Sequence, residues 1–199
     1  MGLLGSRSIH WGVCLLALSL LAGCQSSPTK QYFVLTAMPS PIEAGSTRLV
    51  RNIGIGPVDI AEYLNLTQVV YQLNDGSLQR FANSYWAEPL EQGISRVISV
   101  NLSQGDPSRN LISFPWRADN RPQYSIKIKV ISLNRDGIHA KINANWELLN
   151  IPLNRYVERQ HFAAVTTAGS TAAELVNAYS DLLAQLAQEI DTSLQRLPD

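Results

Sequence analysis

The sequence is poor in the residues from which metal and redox sites are built. Its 199 residues include two cysteines, three histidines and two methionines. It has no HExxH, no paired CxxC and no Cys/His cluster, so no zinc site is expected. A Walker A loop and a GxSxG elbow are also missing. Charge of one sign is lacking as well: Lys and Arg total 16, Asp and Glu total 16. That balance argues against a nucleic-acid surface and against an acidic or basic tail. No apolar run reaches the roughly 20 residues that a membrane-spanning helix requires. Internal repeats and low-complexity segments are absent.

What is present begins at the N-terminus. Arg7 and the amino terminus precede an apolar stretch from Trp11 to Ala22. This is the n-region and h-region of a secretory signal, expected over residues 1–23. Leu21-Ala22-Gly23-Cys24 ends it as a lipobox. Small residues at 22 and 23 admit the backbone to a peptidase cleft, and cleavage falls between Gly23 and Cys24. Cys14 leaves with the signal, so the mature chain has no cysteine pair to form a disulfide. Cys24 is then the lipid attachment site. Each buried CH₂ contributes about 0.8 kcal/mol, so diacylglycerol plus an amide-linked acyl chain anchors stably. Gln25, in place of Asp, implies the outer membrane in enterobacteria-like sorting. Residues 24–30 form a short linker reaching at most about 20–25 Å, and residues 31–199 form a single domain.

Along that domain, strands are expected over 31–36, 49–58, 67–73, 77–81, 110–114, 124–130, 138–148 and 154–166. Asn74-Asp75-Gly76 is a hairpin signal. Leu90, Ile94, Val97, Ile98 and Leu102 recur at helical spacing, so a helix is expected over 85–102. Thr171-Ala172-Ala173-Glu174 reads as a capping box. It opens a helix with Leu175, Tyr179, Leu182, Leu186, Ile190, Leu194 and Leu197 on one face. The expected class is α+β, a largely antiparallel sheet with two main helices packed on one face. The other face carries the lysines and asparagines.

Signals of chemistry are few. His139 and His161 are the histidines outside the leader, and a solvated face is their expected place. Gly54-Ile55-Gly56 is followed by Pro57, which breaks a dinucleotide fingerprint. Those glycines are expected to mark a bulge or a close backbone approach. Glu88 and Glu91 lie near a helix start, where the dipole stabilises carboxylates. Lys127, Lys129 and Lys141 alternate on strands, as lysines that keep a sheet soluble do. Tyr85 and Trp86 either anchor the first helix to the sheet or form an exposed protein interface.

The motifs Gly54-Ile55-Gly56-Pro57-Val58-Asp59-Ile60, Glu62-Tyr63-Leu64 and Trp86-Ala87-Glu88-Pro89-Leu90 follow the lipobox in order. In this the chain resembles the ABC-type transport auxiliary lipoproteins of the PqiC/YmbA family. The resemblance implies a role without a reaction: no enzyme, no cofactor beyond the lipid on Cys24. It implies an outer-membrane component, facing the periplasm, of an MCE-type system that moves lipids and maintains envelope integrity. The partner would be an MCE-domain protein of the inner membrane. A homo-oligomeric ring is compatible with such a dock. The motifs supply Tyr63, Leu64, Tyr85, Trp86 and Glu88 as candidate partner-binding residues. Members often carry Arg after Tyr-Leu-x, where Leu66 stands here. The alternative is a shuttle that binds lipid in an apolar cavity.

Overall fold

The computed structural model describes residues 28–39, 51–73 and 75–197. The signal segment, Gly23, Cys24, most of the linker, the loop from residue 40 to Thr47, Asn74 and Pro198 lie outside the described residues. Among the described residues the chain runs β1 (Gln31–Phe33), β2 (Arg51–Ile60), β3 (Gln68–Gln72), β4 (Leu78–Trp86), α1 (Leu90–Gly105), β5 (Arg109–Ser113), β6 (Tyr124–Asp136), β7 (His139–Asn150), β8 (Arg155–Thr167) and α2 (Ala172–Leu194). A 3₁₀ turn at Glu62–Leu64 links β2 to β3.

The class is α+β, with two helices on one face of the larger sheet. The sheets correct the expectation of one largely antiparallel sheet. There are two, ordered β1-β4-β3 and β5-β2-β6-β7-β8, and both are mixed. β1 runs parallel to β4, and β2 runs parallel to β5 and β6. Only β3-β4, β6-β7 and β7-β8 are antiparallel. Period-2 patterning reports which face is buried, not strand direction. Direction follows from the connections: α1 crosses over between β4 and β5, bringing β5 in parallel to β2.

The hairpin of β6 and β7 behaves as its alternation predicts. Ile126, Ile128, Ala144, Trp146 and Leu148 are buried on the inner face. The register sets Ile128 beside Trp146 and Val130 beside Ala144. A bulge between Leu148 and Leu149 alters β8. Tyr156 and Glu158, two residues apart and so on one face by strict alternation, fall on opposite faces. Tyr156 thus joins Arg159, whose guanidinium lies 3.4 Å over its ring. Glu158 turns toward α2, where hydrogen bonds from Gln160 and then Ser193 hold its carboxyl below the usual range.

Both helices present the expected faces. Leu90, Ile94, Val97, Ile98 and Leu102 of α1 are buried, as are Leu175, Tyr179, Leu182, Leu186, Ile190 and Leu194 of α2. Each such leucine or isoleucine contributes about 1.5–3 kcal/mol on burial. The capping box forms: Glu174 N–H donates to Thr171 Oγ1 at 3.2 Å, and Thr171 N–H to Glu174 Oε2 at 2.9 Å. The start of α1 corrects the expectation. Residues 85 and 86 belong to β4, and Pro89 is the N-cap, its carbonyl accepting from Gln92 and Gly93. Pro has no N–H to lose there. β4 extends from Leu78 through a left-handed Asn83 (φ 54°), where its register with β3 shifts.

The glycines of Gly54-Ile55-Gly56 do permit a close approach. A Cβ on Gly54 would stand 2.4 Å from Trp116 Cζ2 and 2.7 Å from Pro122 Cγ. Gly56 (φ +113°) leaves room for Phe114, whose Cβ would be 2.8 Å away. Trp116 Nε1–H donates to Ile112 O at 3.1 Å, and the Phe114 and Trp116 rings meet edge-on at 5.2 Å. The register between β2 and β6 shifts after Ile55, as the bulge reading predicts.

One ion pair joins the C-terminal ends of both helices. Arg109, with its side chain 3% exposed, pairs with Asp191 of α2 and, at 3.3 Å, with Asp106. It also donates to Leu102 O. Asp191→Ala leaves a buried guanidinium short of a partner, so it should lower stability by about 3 kcal/mol. Asp106→Ala, at the exposed side, should lower it by less than half as much. Urea unfolding of both variants tests this; similar losses would show that Arg109 does not depend on Asp191. Gly54→Ala should displace the Trp116 ring. It should lower the melting temperature, by an overpacking cost of about 1–3 kcal/mol, and shift tryptophan emission to the red. An unshifted spectrum would place the added methyl elsewhere.

Candidate functional site

The five candidate partner-binding residues divide into two groups. Tyr63, on the 3₁₀ turn, points to β6. Its hydroxyl donates to Asn134 Oδ1 at 2.8 Å and accepts from Leu133 N–H at 3.2 Å. Burial raises its pKa, and the Leu133 hydrogen bond partly offsets that. Tyr63 therefore locks the turn to the larger sheet.

Leu64, Trp86 and Glu88 come together. With Leu66 and Pro89 they line a recess of about 240 Å³. Within it Leu64 and Trp86 are core: they are 2% and 9% exposed. Their apolar surface is consumed by packing, so of the two roles open to Trp86 the structure gives it that of anchor. Trp86 N–H donates to Thr67 O, and Ala87 N–H to Phe33 O, both at 2.8 Å. These bonds hold the end of β4 between β1 and the start of β3.

Tyr85 faces the other way. With Leu66, Thr67, Leu78 and Arg80 it lines a neighbouring recess of about 600 Å³. Its ring stacks, tilted by 34°, on Tyr32 at 5.8 Å. Leu66 lines both recesses. Tyr32, Leu66 and Leu78 are exposed, at 63%, 49% and 47%. Sequence reasoning placed neither Tyr32 nor Leu78 here. The in-register pairing of Tyr32 with Tyr85 brings Tyr32 in, and no pattern in the sequence signals a parallel pairing; Leu78 enters as the first residue of the strand that carries Tyr85.

Glu88 ion-pairs with Arg96 of α1. Arg96 also donates to Leu35 O at 2.9 Å. Thr36 N–H donates to Ser180 Oγ at 3.1 Å, and Met38 N–H to Asn101 Oδ1 at 2.9 Å. Both helices thereby hold the segment that follows β1. Beyond Glu88 a groove of about 680 Å³ runs between α1 and β2 to Phe114, with Glu91, Ser95 and Pro57 along it.

The register separates the two histidines. His139 pairs with Thr167 and His161 with Asn145, six ladder steps apart, or about 20 Å. His161 Nδ1 lies 2.9 Å from Asn145 Oδ1. The space between sheet and helices is filled: Trp146, Tyr179, Leu182 and Leu186 are at most 1% exposed. A shuttle's internal lipid cavity would need that space. No described helix is long and apolar enough to cross a membrane.

The chain resembles known proteins over most of its length. It is 27% identical over 191 residues to the intermembrane transport lipoprotein PqiC of Escherichia coli, covering 94% of this chain and 98% of that one. The Shigella flexneri protein of the same name matches equally. Among solved structures, an uncharacterized protein superposes with a TM-score of 0.68 at 22% identity, covering 84% of this chain and 99% of the other. A Xanthomonas campestris protein superposes with a TM-score of 0.65 at 19% identity, covering 83% and 97%. These two show the fold. The family model of the ABC-type transport auxiliary lipoprotein component matches residues 33–191, and the chain belongs to that family.

Proposed function

We propose that this protein is a lipid-anchored docking subunit of an intermembrane transport system. Cys24 holds it to the outer membrane, facing the periplasm. Its partner is an MCE-domain protein reaching across from the inner membrane, and the pair supports envelope integrity. The observation that carries the docking reading is the meeting of two recesses at Leu66, with exposed Tyr32 and Leu78 beside it. Clusters of exposed apolar side chains of this kind mark protein interaction surfaces. Leu66, at the position where the family resemblance implies Arg, offers the partner an apolar contact. The same reading includes a homo-oligomeric ring of copies.

The anchor follows from the lipobox. Cys24→Ala should move the protein from the membrane pellet to the soluble periplasmic fraction without lowering its melting temperature. A variant that still sediments with membranes would refute lipid anchoring at Cys24. The docking surface has a separate test. A photoreactive amino acid at position 66 in intact cells should crosslink to an inner-membrane protein, identified by mass spectrometry, and one at position 147 on the polar face should not. Equal yields from both positions, or adducts confined to lipid, would overturn docking at Leu66. Leu66→Glu should abolish co-purification of the partner while changing stability by under about 0.5 kcal/mol, as at an exposed site.

A further inference from the structure

The outer face of the five-stranded sheet is polar along β7 and β8. Asn145 with His161 and Glu147 with Arg159 form cross-strand pairs there. The β2 end of the same face differs. The segment after β5 folds back over Gly54 and Gly56 and closes one side of a groove of about 640 Å³. Pro57, Phe114, Trp116, Leu149 and Ile151 supply its apolar walls. Phe114 is 50% exposed, so this wall is open to an incoming molecule.

Three polar side chains line the same groove: Ser125, Lys127 and Arg121. Ser125 sits in β6 between Gly54 and Leu149 in the ladder. Strand alternation places its side chain on the face of Lys127, two residues on. It is 1% exposed, and its hydroxyl has no hydrogen-bond partner among the described residues. Buried hydroxyls are almost always partnered. Neither Arg121 nor Lys127 has an ion pair or hydrogen bond among the described residues. Lys127 is paired in the ladder with Glu147, but that carboxylate is engaged by Arg159 at 3.4 Å. No carboxylate lines the groove.

We propose that this groove binds the head of an anionic amphiphile bearing a phosphate. The phosphate oxygens accept from the Arg121 guanidinium, the Lys127 ammonium and the Ser125 hydroxyl. The carbons next to the head lie against Trp116 and Leu149. The polar lining selects an oxyanion because it offers two cations and a hydroxyl and no carboxylate. The apolar walls select a molecule with hydrocarbon attached, since a bare inorganic ion would leave them wet. The site is a surface groove, distinct from the filled interior and from the recesses at Leu66. It goes beyond the docking role and does not depend on it.

The test uses the lipidated full chain in phosphatidylcholine vesicles with a trace of phosphatidylglycerol carrying a diazirine near its head. Adducts should map to residues 114–127 and 149–151. Arg121→Gln combined with Lys127→Gln should lower their yield about tenfold or more, the loss expected when charge-assisted hydrogen bonds are removed. Both positions are solvated, so the melting temperature should hold. Ser125→Ala should lower the yield by a smaller factor. An equal yield from a phosphatidylcholine diazirine would overturn selection for an anion. Displacement by inorganic phosphate at the concentration of the lipid would reduce the site to a simple phosphate site. Adducts elsewhere, or a yield unchanged in the double variant, would overturn the proposal.

Discussion

The inner face of the β6–β7 hairpin has to be covered, and the rest of the architecture is arranged around that need. Ile126, Ile128 and Val130 lie beside Leu148, Trp146 and Ala144 in one apolar field. Trp146 is the largest side chain in it and carries one polar atom that must find an acceptor. Its Nε1–H reaches Glu189 Oε1 of α2 at 2.8 Å. That bond sets how near α2 lies and how it is turned about its axis. α2 covers β7 and β8, which leaves β2 and β5 to α1. Since α1 must cross from β4 to β5, β5 is delivered parallel to β2. The Arg109–Asp191 pair then closes the C-terminal ends of the two helices against each other.

The smaller sheet depends on this arrangement through the segment that follows β1. Leu35 is buried in the core at 1% exposure, and its carbonyl accepts from Arg96. Ser180 and Asn101 hold the next residues. β1 is only three residues long, too short to be stable on its pairing with β4 alone. The helices therefore stabilise the strand that stands next to the linker. A pull on Cys24 would enter the domain through β1 and be resisted by side chains of both helices.

Most of the elements were legible in the sequence because burial is periodic. The faces of α1 and α2, the β6–β7 hairpin and the capping box follow from Leu90 to Leu102, Leu175 to Leu194, Tyr124 to Leu148 and Thr171 with Glu174. Three features were not legible, and each has a physical cause. Alternation is the same for parallel and antiparallel pairs, so the mixed sheets were hidden. A bulge inverts the alternation without changing composition, so strict alternation puts Tyr156 on the face of Glu158, where it does not lie, and the expected β4 ended too early, short of Asn83. Large aromatics suit both cores and interfaces, so Trp86 stood as anchor or contact until its burial separated it from Tyr85. The candidate site was half legible. Its motif residues Leu64, Trp86 and Glu88 do meet, but Tyr32 arrives by a parallel pairing distant in sequence, and Leu78 joins Tyr85 only because β4 runs on past the expected end of the strand.

The surfaces of interest are connected, and the connection runs along shared residues. Glu88 belongs both to the recess beside Leu66 and to the groove between α1 and β2. Phe114 and Pro57 belong both to that groove and to the groove under Trp116. Glu88 and Phe114 thus stand at the borders between neighbouring recesses. The Glu88–Arg96 pair holds the chain before α1 against that helix. Gly54 and Gly56 let Phe114 and Trp116 lie directly on β2. The Gly-x-Gly-Pro and Trp-Ala-Glu-Pro-Leu motifs, some thirty residues apart in the chain, therefore line the same groove between α1 and β2.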